Sequence, residues 1–190
     1  MPLTTLDPNT ALIVIDLQKG IVDGNFIHPI GNIIDRTRAL IDVFRAKNLP
    51  VVLVNVAGRA PGRTEQGPRS SISSSEGWTD LLPQLDQQSS DIVVTKRSWG
   101  AFATTDLERQ LKARGVTQVV VTGVATSGGV EATARQAYEQ GFHVTFALDA
   151  MTDLRGEAHE YSIRNVFPRV GETGSTEEII SLLERRSSAS

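Results

Sequence analysis

The chain has 190 residues, enough for one ordinary domain with a core. Nineteen Lys and Arg against 22 Asp and Glu give a net charge of −3, which argues against a strongly basic nucleic-acid binder and against an acidic disordered tail. No run approaches the ~20 apolar residues of a membrane span, and the cysteine count is zero, so disulfides, thiolate metal sites and thiol nucleophiles are excluded.

The elements alternate along the chain. Met1 to Thr10 lacks a basic region followed by an apolar run, so no secretory leader is expected and the cytoplasm is the expected compartment. Ala11 to Ile15 is an apolar run ending in Asp16. Ile33, Leu40, Ile41 and Phe44 recur at helical spacing, and Asn48-Leu49-Pro50 stops that helix. Val51 to Val54 and Ile92 to Val94 are the second and third runs. Between them, Ala57 to Gly77 carries glycines, Pro61, Pro68 and the serines Ser70 to Ser75, and reads as a long ordered loop over a site or a neighbouring subunit. Thr105 and Glu108 form a capping-box pair before Leu111, and Gly115 ends that helix.

Val119 to Val121 is the fourth run. Val130, Ala134, Ala137 and Tyr138 then make an apolar helical face closed by Gly141. Phe142 to Leu148 is a fifth strand, and Ala158 to Val166 a helix. Ser175 and Glu178 form a second capping box before Ile179, Ile180, Leu182 and Leu183, and Arg185 to Ser190 reads as a frayed tail. Continuous β-branched strands are buried on both faces, as in a parallel sheet. Alternation with helices predicts an α/β sandwich in a single domain over residues 1–190.

In such a sheet, ligands bind beyond the carboxyl ends of the strands. The residues that fall there are Asp16 and Gln18, Asn55, Lys96, Gly123 to Gly129, and Asp149. An acid and a lysine at one crevice can pair and tune each other's pKa. The segment GVATSGGVEATAR, Gly123 to Arg135, joins a strand to a helix, where amides can hold an anion or a developing oxyanion. It can equally be a glycine-eased turn with Thr126 or Ser127 as N-cap. It matches neither nucleotide-binding glycine motif, since Gly128-Gly129 is followed by Val130.

Asp16-Leu17-Gln18, Thr95-Lys96-Arg97-Ser98 with Ala101-Phe102, GVATSGGVEATAR and Asp149-Ala150-Met151-Thr152-Asp153, in this order, resemble the isochorismatase-like hydrolase family. The likeness runs from about Thr10 to Leu183. It implies a three-layer α/β sandwich with a six-stranded parallel sheet and helices on both faces. It also implies a homo-oligomer, a dimer or tetramer, acting on a small molecule without nucleic acid or membrane. A cis peptide between Val124 and Ala125 is implied too, turning the Ala125 amide towards substrate beside that of Gly129.

Most of the family uses an aspartate, a lysine and a cysteine. Asp16 and Lys96 match the first two, and the cysteine position falls on Gly129. Thioester chemistry cannot operate there. Isochorismatases proper also place glycine at this position and hydrolyse a vinyl ether, with the aspartate as general acid. The resemblance therefore implies Asp16 as acid and Lys96 as its partner, or as the ligand of a substrate carboxylate. Alternatives stay open: amide or ureide hydrolysis by water or Ser127, or a silent relative that only binds. Further substrate-facing candidates are Gln18, Trp99, Phe102, Ala125, Thr126 and Ser127, with Arg59 and Arg63 in the long loop; Trp78 is a candidate interface residue. No cofactor is expected, and His28, His143 and His159 show no metal-ligand spacing. Structural roles are expected for His143 and His159, and His28 is the one that could face the crevice.

Overall fold

The computed structural model describes residues 3–65 and 75–185. The strands are β1 (Thr10–Ile15), β2 (Val51–Val56), β3 (Ile92–Lys96), β4 (Gln118–Val124), β5 (His143–Thr152) and β6 (Glu172–Gly174). They form one parallel sheet in the order β3-β2-β1-β4-β5-β6. The helices are α1 (Lys19–Val22), α2 (Ile30–Ala46), α3 (Leu107–Ala113), α4 (Glu131–Glu139), α5 (Gly156–Tyr161), α6 (Phe167–Val170) and α7 (Thr176–Arg185).

Successive side chains of a strand point to opposite faces, and this builds two cores. Ala11, Ile13 and Ile15 join Val52, Val54, Val119 and Val121 under Leu111 of α3, Ala134 and Ala137 of α4, and Phe167 of α6. Leu12, Val14, Leu53 and Val120 face the other way, onto Leu40, Ile41 and Phe44 of α2 and Ile179 and Leu183 of α7. Each fully buried aliphatic or aromatic side chain contributes about 1.5–3 kcal/mol. The result is the expected three-layer sandwich. Among the described residues no helix is long and apolar enough to cross a membrane.

Several local expectations are corrected. β3 is an edge strand covered on one face only: Ile92 and Val94 are buried, while Val93 is 43% exposed. β5 does not stop at Leu148. Its register with β4 shifts between Val121 and Gly123, and the strand runs on to Thr152. Asp149 therefore leaves the crevice. Its Oδ1 accepts the Thr176 amide at 2.7 Å and the Thr176 hydroxyl at 2.9 Å, at the start of α7. Tyr138 is 53% exposed rather than part of the apolar face of α4.

The second capping box forms: Ser175 N donates to Glu178 Oε2 and Glu178 N to Ser175 Oγ. The first does not. Thr105 Oγ1 takes the Leu107 amide, but Glu108 turns to Lys112 one turn on, a partner of opposite charge at helical spacing. In the long loop, residues 57–65 carry no helix or strand, and Arg59 and Arg63 are exposed. Pro68, Ser70 to Ser74 and the tail beyond Arg185 lie outside the described residues. The chain returns through Trp78 to Leu82 onto the segment after β1. Gly20 N donates to Trp78 O, Leu82 N to Leu17 O, and Lys19 pairs with Asp80.

Candidate active site

The strand order reverses between β1 and β4, and open α/β sheets bind ligands at that reversal. Ile15 and Gly123 are register partners there. Gly123 has φ +110°, and a Cβ on it would lie 2.2 Å from Ile15 O, so only glycine fits. Immediately after Ile15, Asp16 turns into the left-handed region at φ +53°, a conformation that aspartate tolerates better than most residues. Its amide still donates to Val54 O on β2. The turn carries the carboxyl to the face from which Lys96 arrives.

Lys96 Nζ lies 2.8 Å from Asp16 Oδ2, with 2% and 9% of the two side chains exposed. The ammonium also donates to Ser98 O at 3.3 Å. Burial pushes the Asp16 carboxyl up to about 6, and the charge and hydrogen bond of Lys96 hold it from rising further. Asp16 Oδ1 is buried with no hydrogen-bond partner among the described residues. An unpartnered acceptor of this kind is costly unless a ligand or water completes it.

The peptide between Val124 and Ala125 is cis, as expected. A tight turn over Thr126–Val130 follows and runs into α4. Asp153 holds this turn: its Oδ2 accepts the Ser127 amide at 2.7 Å, while Oδ1 accepts those of Leu154 and Arg155. Gly129 sits at the end of the turn, beside the ion pair. A Cβ there would lie 2.9 Å from Ile15 Cγ2, 3.1 Å from Asp16 Oδ2 and 3.4 Å from Lys96 Nζ.

Comparison with known proteins places this arrangement. An isochorismatase domain matches residues 10–178. The chain belongs to the isochorismatase family. It is similar to the isochorismatase family protein YwoC of Bacillus subtilis, 40% identical over 177 residues, covering 90% of this chain and 92% of the relative. The isochorismatase family protein YecD of Escherichia coli O157:H7 is 39% identical over 180 residues, covering 92% and 96%. Among solved structures, an isochorismatase family protein from Burkholderia thailandensis superposes with a TM-score of 0.90 at 37% identity, covering 95% of this chain and 98% of that one.

Within this isochorismatase-family frame, Asp16, Lys96 and Gly129 come together. The other candidates divide. Gln18 is fully buried, and both ends of its amide hold backbone: Oε1 accepts the Val56 amide, and Nε2 donates to Val56 O and Trp78 O. It braces the rim instead of offering a free group to substrate or to Asp16. Phe102 is a core residue against Phe142, with ring centroids 5.9 Å apart. Trp99 is 63% exposed beyond β3. Ala125 and Ser127 are half-buried, but Thr126 is fully buried with its hydroxyl on His159 Nδ1 at 2.8 Å.

His143 begins β5, at the end of the sheet opposite the site. His28 packs edge-on against His159 and lies 3.0 Å from Thr152 Oγ1. Among the described residues no three His, Asp or Glu side chains converge to hold a metal. Asp153 was not a candidate in the sequence beyond its place in a motif. Its role depends on β5 running to Thr152, which the polar residues after Leu148 conceal.

Proposed function

We propose that this chain hydrolyses the enol-ether bond of a small anionic metabolite of the isochorismate type, with Asp16 as general acid. One observation carries the reading. Asp16 is a buried carboxyl, poised at about 6, with Oδ1 unpartnered and the ammonium of Lys96 on Oδ2. Gly129 places no side chain beside the pair, and a Cβ there would crowd both Ile15 and the carboxylate. A carboxyl raised towards neutrality is suited to donate a proton.

The step balances as follows. Asp16 gives its proton to the terminal carbon of the enol ether, and the ether oxygen becomes part of an oxocarbenium ion. Water adds to the ether-bearing carbon of that ion, not to the protonated terminal carbon, and returns a proton to the Asp16 carboxylate. The resulting hemiketal collapses to a ketone and an alcohol. Lys96 has three N–H donors; Asp16 and Ser98 take two, and the third is available to an anionic substrate oxygen. Ala125 and Ser127, half-buried on the turn, and Trp99 at the rim are the remaining candidates for substrate contact.

The Ser127 hydroxyl has no hydrogen bond to a base among the described residues, and its amide is held by Asp153. This weakens the serine version of amide hydrolysis. Incubating the purified protein with isochorismate and, separately, with a panel of amides and ureides tests the proposal. Release of pyruvate from the enol ether is expected. Release of ammonia from the amides without pyruvate would overturn it.

A further inference from the structure

The Thr126–Val130 turn is held from behind by a histidine that the proposed chemistry does not use. His159 of α5 is 5% exposed, and its Nδ1 meets the hydroxyl of the fully buried Thr126 at 2.8 Å. Thr126 lies two residues after the cis peptide partner Val124 and three before Gly129. The His28 ring packs edge-on against His159 at 5.1 Å and meets Thr152 Oγ1 at 3.0 Å. Thr152 is the register partner of Val124. Two imidazoles thus rest on two threonines, one at the end of β5 and one just past the end of β4.

We infer that His159 is a positioning residue for the turn that carries Gly129, and that protonating it loosens the turn, so that turnover falls on the acid side as well as the alkaline side. This rests on the proposed role of Asp16. A neutral imidazole can accept from or donate to the Thr126 hydroxyl, whichever tautomer it holds. A protonated one donates from both nitrogens and brings a charge into a nearly dry place. The charged groups facing it are few. His28 opposes a second positive charge. Glu160 on the same helix and Asp153 at the end of β5 favour one. The Asp153 carboxylate, however, is already held by three backbone amides. Burial, then His28, keeps His159 below its ordinary 6.5. The ring takes its proton most readily by leaving Thr126 for solvent.

The experiment is a pH–rate profile from pH 4.5 to 8 for wild type, His159→Asn, His159→Phe and Thr126→Val. The amide shifts of Ser127, Gly128 and Gly129 are followed by NMR over the same range without substrate. Wild type should lose activity on both sides of its optimum, and the three amides should titrate with the acid-side midpoint. His159→Asn keeps a hydrogen-bonding group near the Nδ1 position but cannot titrate, so the acid-side fall and the amide step that coincides with it should both vanish, leaving only the step that Asp16 imposes on its neighbour Gly129 at about 6. His159→Phe and Thr126→Val remove the bond from either end and should lower kcat roughly tenfold with a smaller change in KM, the pattern of a displaced site. Thr126→Val keeps the test open if His159→Phe fails to fold. An acid-side fall that persists in His159→Asn, or amides that do not titrate in wild type, overturns the inference. If no enol ether is turned over, the amide titration decides the positioning role alone, separately from the proposed reaction.

Discussion

Lys96 Nζ reaches Asp16 Oδ2 at 2.8 Å although β2 lies between their strands. Two local features make this contact. Asp16 turns at φ +53° immediately after β1, and Lys96 brings its long apolar stem up from the last position of β3. The pair is nearly dry, so the lysine charge acts at close range and limits how far burial raises the carboxyl.

Removing that charge has a directional consequence. In Lys96→Met both influences that lower the Asp16 pKa disappear, so the carboxyl should move above about 6. The alkaline limb of the pH–rate profile should shift upward with it. The fold should lose about 3–5 kcal/mol where Asp16 is ionised, because breaking a buried pair strands a charge. Urea unfolding at pH 8 and a pH–rate series check both parts.

Five strands were legible in the sequence because β-branched runs are long and bounded by turn residues. β6 was not: Glu172-Thr173-Gly174 is too short and too polar to register, and it rests on β5 through Thr145 to Ala147. Asp16 and Lys96 were legible as strand-end residues, and their pairing was anticipated by the motif order. That they reach each other across β2 was not, since the contact depends on a single left-handed residue. Gln18 and Thr126 misled for one reason. A polar residue beside a site looks functional until its partners are known, and those partners, Val56, Trp78 and His159, come from elsewhere in the chain.

Gly129→Ala tests how closely the site is built around an absent side chain. The new methyl would lie 2.9 Å from Ile15 Cγ2, and that atom branches directly from Cβ, so the cost is overpacking of about 1–3 kcal/mol. Turnover should fall, because the methyl also approaches Asp16 Oδ2. In Gly129→Ala with Ile15→Val the clash should persist, since valine keeps a branched carbon. Thermal melts and steady-state rates on the single and double variants are the measurements.

Gln18→Ala should act on the rim and not on the chemistry. It takes away the partner of the part-buried Val56 amide, at about 1–3 kcal/mol, while Trp78 O keeps the Gly20 amide. Stability should drop, while the pH at which activity falls on the alkaline side stays that of wild type. A moved alkaline midpoint would show that Gln18 touches Asp16 after all.

The raised carboxyl also has a stability signature. The folded pKa of Asp16 lies above the ordinary aspartate value of 3.8, so the folded state binds the proton more tightly. The associated stability is fully present below 3.8 and is lost as pH rises through about 6. Asp16→Asn removes this slope. Unfolding titrations between pH 4 and 7 should show wild type losing stability relative to the variant as pH rises.

The most direct measurement is the pH–rate profile of wild type beside Asp16→Asn, read as pyruvate released from isochorismate. If the protonated Asp16 carboxyl is the general acid, wild-type turnover falls about tenfold per pH unit above about 6. Asp16→Asn, still folded by circular dichroism, should lose roughly 10²–10⁴ in rate. A folded Asp16→Asn that turns over at the wild-type rate, with the same pH profile, would contradict the account.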